Sequence, residues 1–307
     1  MNGKILTLTT NLLAETTLDF PNWQVGRTHR ATGESFQVGG KGINVVRMLA
    51  RLQAPATALC FPGGQIGHKC EDWLSSTGVD FQAFPTPLDT RIGTVVRTPG
   101  QPETTFLGMD CRISPASVRT CCDYLSAQPT GTRLALCGSI QAWDSPLWDP
   151  LREELRLWQG HQFLAADTYG PPLRWLAELG LPLIKLNRVE FSTLMGSGQL
   201  DPKAVPDALR TAGRDFQVGC WVVSDGSGPL WFMERGGEPE SLQPEMIEEI
   251  SPTGSGDLLF AGILDGLLNR GFGLRQSVAL GCRLATASAA RPGIADFPDT
   301  VIADALK

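Results

Sequence analysis

The stretch PTGSGDLLFAGILDGLLNRG, residues 252–271, sets Gly254 and Gly256 around the small Ser255 and then enters a strongly apolar helical pattern at Asp257. At such a helix start three or four backbone N–H groups point outward, and the macrodipole adds partial positive charge. That geometry can hold the oxygens of a phosphoryl group whose charge is shifting. Asp257 beside it is placed to take a proton from an attacking hydroxyl. The same residues also read as a plain glycine turn with an acid at the positive end of a helix. The surroundings decide between the two.

Upstream, short apolar runs alternate with helical patterns. KILTLT (4–9), ATALCF (56–61), RLALCGS (133–139), QFLAADT (162–168), PLIKLN (182–187) and CWVVSDG (220–226) are strand-like. Most lack polar alternation, as expected of parallel strands covered on both faces. Helical patterns fall at 40–52, 114–127, 171–179, 201–213, 257–271 and 274–290, with Asp201 as an expected N-cap and Pro202 at the first helical position. The expected fold class is α/β, a doubly wound, mainly parallel sheet flanked by helices. Segments 13–38 and 88–107 break the rhythm with short β-prone pieces such as TRIGTVVRT (90–98) and ETTFLG (103–108). They predict one small β-sheet lid over the site of a single domain, residues 1–307.

In such sheets ligands gather at the carboxyl ends of strands. GGKGIN (39–44) opens a helix with consecutive glycines, which let backbone approach a ligand closely. It is not a Walker A loop, since GxxxxGK[ST] is absent from the chain. CGS (137–139), KLNRVE (185–190) and SDGSG (224–228) each follow an apolar strand. A lysine near Asn187 and Glu190 suits nucleotide phosphates and a hydrated Mg²⁺, which prefers oxygen ligands and keeps waters. Each cluster alone reads as a turn; together they predict one cleft.

Composition narrows the classes. Of the 307 residues 42% are hydrophobic and 19% charged, as in a globular protein, and the net charge of −6 argues against a basic nucleic-acid face. The opening MNGKILTLTT has no apolar h-region, and no run reaches the length of a membrane span. A cytoplasmic protein with no membrane partner is expected. Eight scattered cysteines without CxxC predict buried reduced thiols, and His29, His68 and His161 form no metal-binding pattern.

GGKGIN early, N-x-x-E after an apolar strand and a late GSGD resemble the PfkB carbohydrate kinases of the ribokinase-like fold, from Leu6 to about Gly293. The chain looks most like the subgroup of fructose-1-phosphate and tagatose-6-phosphate kinases, which phosphorylate sugar phosphates. The resemblance implies ATP and Mg²⁺ as cofactors. It makes Asp257 the base that deprotonates the acceptor hydroxyl, and Gly254, Ser255 and Gly256 the anion hole. Gly39, Gly40, Lys41 and Asn44 fall in its sugar-binding motif. Asn187 and Glu190 match the pair linked to magnesium and phosphates, and Lys185 falls near the ATP phosphates. Ser224, Gly226 and Gly228 match the nucleotide-binding S-x-G-x-G. Arg91 in the lid matches the arginine that holds the substrate's existing phosphate, and Arg30 resembles a second basic lid position. A homodimer formed through the lid is a further implication.

Two departures fall on the sugar side. The subgroup's N-P-A-x-D is here NLLAE (11–15), so Glu15 stands in for an aspartate. One extra methylene moves the carboxylate further than a hydrogen bond tolerates unless the backbone compensates. The family's G-S-L-P-x-G is GSIQAW (138–143), keeping Ser139 but losing the proline and last glycine. An active kinase with an altered or unidentified sugar substrate is the expectation. A non-catalytic sugar or nucleotide sensor and a kinase of an unphosphorylated sugar remain as alternatives. A nicotinamide-dependent oxidoreductase is disfavoured, because LTTNLLAE after the first strand holds no glycine.

Overall fold

A computed structural model describes residues 3–101 and 103–306. Residues 1, 2 and 307 at the expected domain ends, and Pro102 inside the second inserted segment, lie outside the described residues. β1 (Ile5–Thr9) is followed by β2 (Leu13–Asp19), β3 (Gly33–Gly39), α1 (Lys41–Arg51), β4 (Ala56–Cys60), α2 (Gly64–Ser76) and β5 (Phe81–Ala83). Next come β6 (Arg91–Arg97), β7 (Thr104–Leu107), α3 (Pro115–Ser126), β8 (Arg133–Cys137), α4 (Asp149–His161), β9 (Phe163–Asp167), α5 (Pro171–Leu179), β10 (Leu183–Asn187) and α6 (Arg188–Leu194). α7 (Val205–Asp215) leads to β11 (Cys220–Ser224), β12 (Leu230–Glu234) and β13 (Glu240–Leu242), and then to α8 (Ser255–Asp265), α9 (Leu274–Ala289) and α10 (Asp299–Ala305).

Nine strands form the main sheet in the order β13-β12-β11-β10-β9-β8-β1-β4-β5. β5 through β11 in that row run parallel, and β12 and β13 add antiparallel at one edge. Alternate residues of each central strand feed opposite layers. Ile5 and Ala58 join the core under α1, α2, α8, α9 and α10, whereas Leu6, Leu8 and Leu59 join the core under α3 to α7. This two-sided burial is why the strands read as continuous apolar runs. The chain winds outward from β1 through β4 to β5, then restarts at β8 and winds the other way, so the order reverses between β1 and β8.

The segments that broke the rhythm form a separate four-stranded sheet, β3-β2-β6-β7. β2 and β6, from different segments, pair in parallel from Leu13–Arg91 to Asp19–Arg97. α1 rides close on β1: Thr7 donates to the Gly42 carbonyl at 2.9 Å, and a Cβ at Gly42 would stand 2.3 Å from Thr9 Oγ1.

Other differences from expectation have local causes. Asp201 caps a short 3₁₀ turn, 202–204, that passes into α7, so the regular helix starts later and runs to Asp215. α2 buries only Gly67, Cys70 and Leu74, too sparse a stripe to read as a helix. β12 follows β11 through a turn rather than a helix, outside the expected alternation. Among the described residues no helix is long and apolar enough to cross a membrane. Every described cysteine is free, and all but Cys220 are buried.

Candidate functional site

A cleft of about 200 Å³ opens beside the carboxyl ends of β1 and β8, where the strand order reverses, and the small sheet forms part of its wall through Leu13, Glu15 and Arg91. Two glycines bring α1 and α8 to it. Gly40 (φ 125°) precedes α1, and a Cβ there would stand 2.8 Å from Thr9 Cγ2. Gly254 (φ 78°) precedes α8 in the left-handed region, and a Cβ there would meet Ile294 at 2.9 Å. Side chains are excluded at both turns by conformation and by space.

Asp257, in the first turn of α8, is 6% exposed and faces the cleft. Its Oδ2 accepts from Asn44 Nδ2 at 2.7 Å, joining the GGKGIN and GSGD stretches by one hydrogen bond. Asn44 Oδ1 is buried without a partner among the described residues. Burial, and then the negative Asp167, push the Asp257 carboxyl up to about 6. The Ser255 and Asp257 amides donate to the carbonyls of Pro252 and Gly254, whereas among the described residues the amides of Thr253, Gly254 and Gly256 meet no backbone acceptor.

The residue that organises the site's charge escaped the sequence reading. Asp167, the fully buried last residue of β9, accepts from Lys41 Nζ at 2.6 Å and from Lys185 Nζ at 2.8 Å. Burial opposes its charge, but Lys185 and Lys41 outweigh that and hold the carboxyl below the usual range. Burial likewise opposes the Lys41 ammonium, and Asp167, Glu190 and Asp257 together hold it above the usual lysine value. Lys185, only 3% exposed, brings its amine within 3.0 Å of where a Gly256 Cβ would stand, at the head of α8. The signal was available, because a lone acid closing an otherwise apolar buried strand must find a partner.

Asn187 and Glu190 form a reciprocal capping box at the start of α6: Asn187 Oδ1 accepts from the Glu190 amide at 2.9 Å, and Glu190 Oε2 from the Asn187 amide at 2.8 Å. Glu190 Oε1 remains turned toward Lys41 Nζ at 3.6 Å. Among the described residues no group of three or more His, Cys, Asp or Glu could cage a metal. Ser224 stands beside Asn187 in the β10–β11 register. Gly226 (φ 57°) and Gly228 shape the turn beyond it, with the Gly228 amide donating to the Asp225 carbonyl at 2.8 Å. These residues share the carboxyl edge of the sheet but do not line the cleft.

At the far end Glu15 is buried and accepts from Gln37 Nε2, whose own Oε1 accepts from Arg47 Nη1 at 3.4 Å. Arg91, at the start of β6, donates to Asp110 Oδ1 at 3.1 Å. Asn11 Nδ2 donates to the same oxygen at 2.7 Å and to Ser139 Oγ at 3.0 Å. Gly39, Gly40, Lys41 and Ser139 line the cleft with Asn11, Glu15 and Arg91, whereas Arg30 lies exposed between β2 and β3 and does not. Of GSIQAW only Gly138 and Ser139 reach the cleft; Ile140 and Trp143 turn into the core, Trp143 edge-on to Trp175 with ring centroids 5.3 Å apart. Glu103 ties the small sheet to the loop before α8. Its Oε1 accepts from Arg97 Nε at 2.7 Å, and its Oε2 from Ser251 Oγ at 3.1 Å and Thr253 Oγ1 at 3.2 Å.

The pattern of the pfkB family carbohydrate kinases matches residues 9–139 and 177–300. The 1-phosphofructokinase of Haloferax volcanii is 30% identical over 291 residues, covering 92% of this chain and 90% of that protein. The 1-phosphofructokinase of Borreliella burgdorferi is 27% identical over 299 residues, covering 96% and 94%. Among solved structures, phosphofructokinase-2 from Escherichia coli in complex with fructose-6-phosphate superposes with a TM-score of 0.88 at 22% identity, covering 100% of both chains, which shows a shared fold. With the fold, the cleft at the strand reversal and the family pattern in agreement, the chain belongs to the pfkB family carbohydrate kinases, phosphotransferases with a hydroxyl acceptor.

Proposed function

We propose that the chain transfers the γ-phosphoryl group of ATP to a hydroxyl of a sugar phosphate. The observation that carries this is Asp257: buried at the head of α8, raised to about 6, and set beside two lysines that converge on Asp167. A base poised just below neutral pH is ionised in use yet basic enough to take a hydroxyl proton. Gly254, Ser255 and Gly256 start the helix that would receive the transferring group, with Lys185 beside Gly256 adding a full positive charge.

The acceptor is proposed to lie between Glu15, Gly39, Gly40, Asn44 and Ser139, with Arg91 toward its existing phosphate. The unpartnered Asn44 Oδ1 is free to accept from a sugar hydroxyl. ATP is proposed to lie along the carboxyl edge, from Lys185 and Asn187 to Ser224, Gly226 and Gly228. The donor set fits a hydrated Mg²⁺ held mainly by the phosphates, because the capping box engages Asn187 Oδ1 and Glu190 Oε2 and leaves Glu190 Oε1. Mg²⁺ bound there would offset phosphate charge. The four-stranded sheet serves as the lid, excluding water from the acceptor hydroxyl, and Glu103 couples its position to Thr253.

ADP release with Mg-ATP over fructose 1-phosphate, fructose 6-phosphate, tagatose 6-phosphate and the free sugars tests the reading. The expected result is fastest turnover with one of the phosphorylated acceptors. Tight binding without ADP release would instead make the chain a sensor, and turnover confined to free sugars would overturn the acceptor class. We also propose a homodimer formed through the lid. Ile92 and Phe106, 57% and 56% exposed, share the face of β6 and β7 turned away from Glu15, and Met109 just beyond is 84% exposed, an apolar surface suited to a second copy. Sedimentation at micromolar concentration should give a dimer, and a monomer alone would remove this assignment.

A further inference from the structure

Arg91 is already engaged by an anion of the chain itself. Its Nη1 donates to Asp110 Oδ1 at 3.1 Å, and its Nη2 reaches the Asn11 carbonyl at 3.4 Å. The bond to the carboxylate is single rather than a fork, and the buried Arg91 Nε–H has no partner among the described residues. The guanidinium therefore keeps unused donor capacity, while its charge is largely balanced. Asp110 also fixes Asn11, through the 2.7 Å bond from Asn11 Nδ2, and Asn11 bridges on to Ser139. One carboxylate on the loop after β7 thus holds two of the donors that line the cleft, Arg91 and Asn11. Arg91 is 13% exposed at its side chain and Asp110 38%, so the pair lies where the cleft opens rather than in the core.

We infer that Asp110 is a specificity-determining counter-ion, competing with the acceptor's phosphate for Arg91 and setting how strongly phosphorylated acceptors are preferred over free sugars. The inference rests on the proposal that Arg91 meets the acceptor's phosphate. A phosphate arriving at the guanidinium brings its oxygens beside the Asp110 carboxylate, and the two like charges share one cation. Binding is weakened, and the product, which still carries that phosphate, leaves more readily. A free sugar brings no such charge and is indifferent to the balance.

The test is Asp110→Asn, which keeps size and shape, with Asp110→Ser as a second variant and thermal melting to confirm that both fold. KM for the phosphorylated acceptor is expected to fall about tenfold relative to KM for a free sugar in each variant, the ratio cancelling any change that reaches both through Asn11. Inorganic phosphate should inhibit both variants about tenfold more strongly than the parent enzyme. An unchanged or higher ratio of these KM values, with unchanged phosphate inhibition, overturns the inference and makes Asp110 a support for Arg91. If the parent enzyme turns over free sugars alone, the proposed acceptor class fails separately, and the phosphate inhibition comparison still decides the role of Asp110.

Discussion

Replacing Asp257 with Asn is expected to lower kcat by roughly 10²–10⁴, the usual contribution of a general base, while leaving KM for ATP close to that of the parent enzyme. The side chain keeps its size, and an amide oxygen can still accept from Asn44 Nδ2, so the head of α8 keeps its shape. On the proposed mechanism, what is lost is the ability to take the acceptor's proton. The pH profile supplies the control. With the carboxyl raised to about 6, the parent enzyme should lose kcat as pH falls through that value, because the protonated acid cannot act as a base. Above it the group is ionised and the rate levels off. The residual rate of Asp257→Asn should lack this acid limb between about pH 5 and 8. Turnover near the parent rate with a good acceptor, or an acid limb that survives the substitution, would show that another group takes the proton.

The α/β frame was legible because burial wrote it plainly. Parallel strands covered on both faces leave runs such as LIKLN and CWVVS with no polar alternation, and the boundaries read from them fall within two residues of β10 and β11. The two inserted segments were legible as β-prone, and the four-stranded sheet they form unites them. The pairing of β2 with β6 was not, since register between strands far apart in sequence has no local signal. α2 and the edge hairpin β12–β13 were missed for opposite reasons, one too weakly patterned and the other outside the alternation. The substitution of Glu15 for an aspartate was visible, but its neighbours were not. Gln37, one strand over in the β2–β3 pair, receives the longer side chain. Residues recognised by motif sat in contiguous stretches. Asp110, Glu103 and Asp167 gain their meaning only from partners brought in by the fold, at sequence separations from 6 to 150 residues.

Asp167 gives that point its most costly test. Asp167→Asn leaves Lys185, 4% exposed at its side chain, and Lys41, 25% exposed, facing one neutral amide where a carboxylate took one from each oxygen. Lys41 keeps Glu190 Oε1 at 3.6 Å, but if the amide turns its NH₂ group toward Lys185, that buried ammonium keeps its charge without an acceptor. Removing one member of a buried ionic set costs about 3–5 kcal/mol. For 307 residues, with an unfolding entropy near 2.1 cal/mol/K per residue, that is a fall in Tm of roughly 5–8 °C. The native carboxyl lies below its unfolded value of about 3.9. Its stabilisation is therefore fully present above that pH and fades only as pH falls through the native value. Its own titration thus leaves the deficit unchanged above about pH 5. The Asp167 charge also raises Asp257 to about 6, however, so its removal relieves that group, and the deficit should narrow as pH rises through about 6. Adding Lys185→Met separates charge balance from packing. If the deficit is an uncompensated ammonium, the double variant should melt above Asp167→Asn alone, a coupling that simple loss of contacts does not produce. If the two substitutions add, Asp167 is a packing residue and the lysines do not depend on it. Activity should fall with stability in the single variant but not recover in the double, because Lys185 is also the cation set at the head of α8.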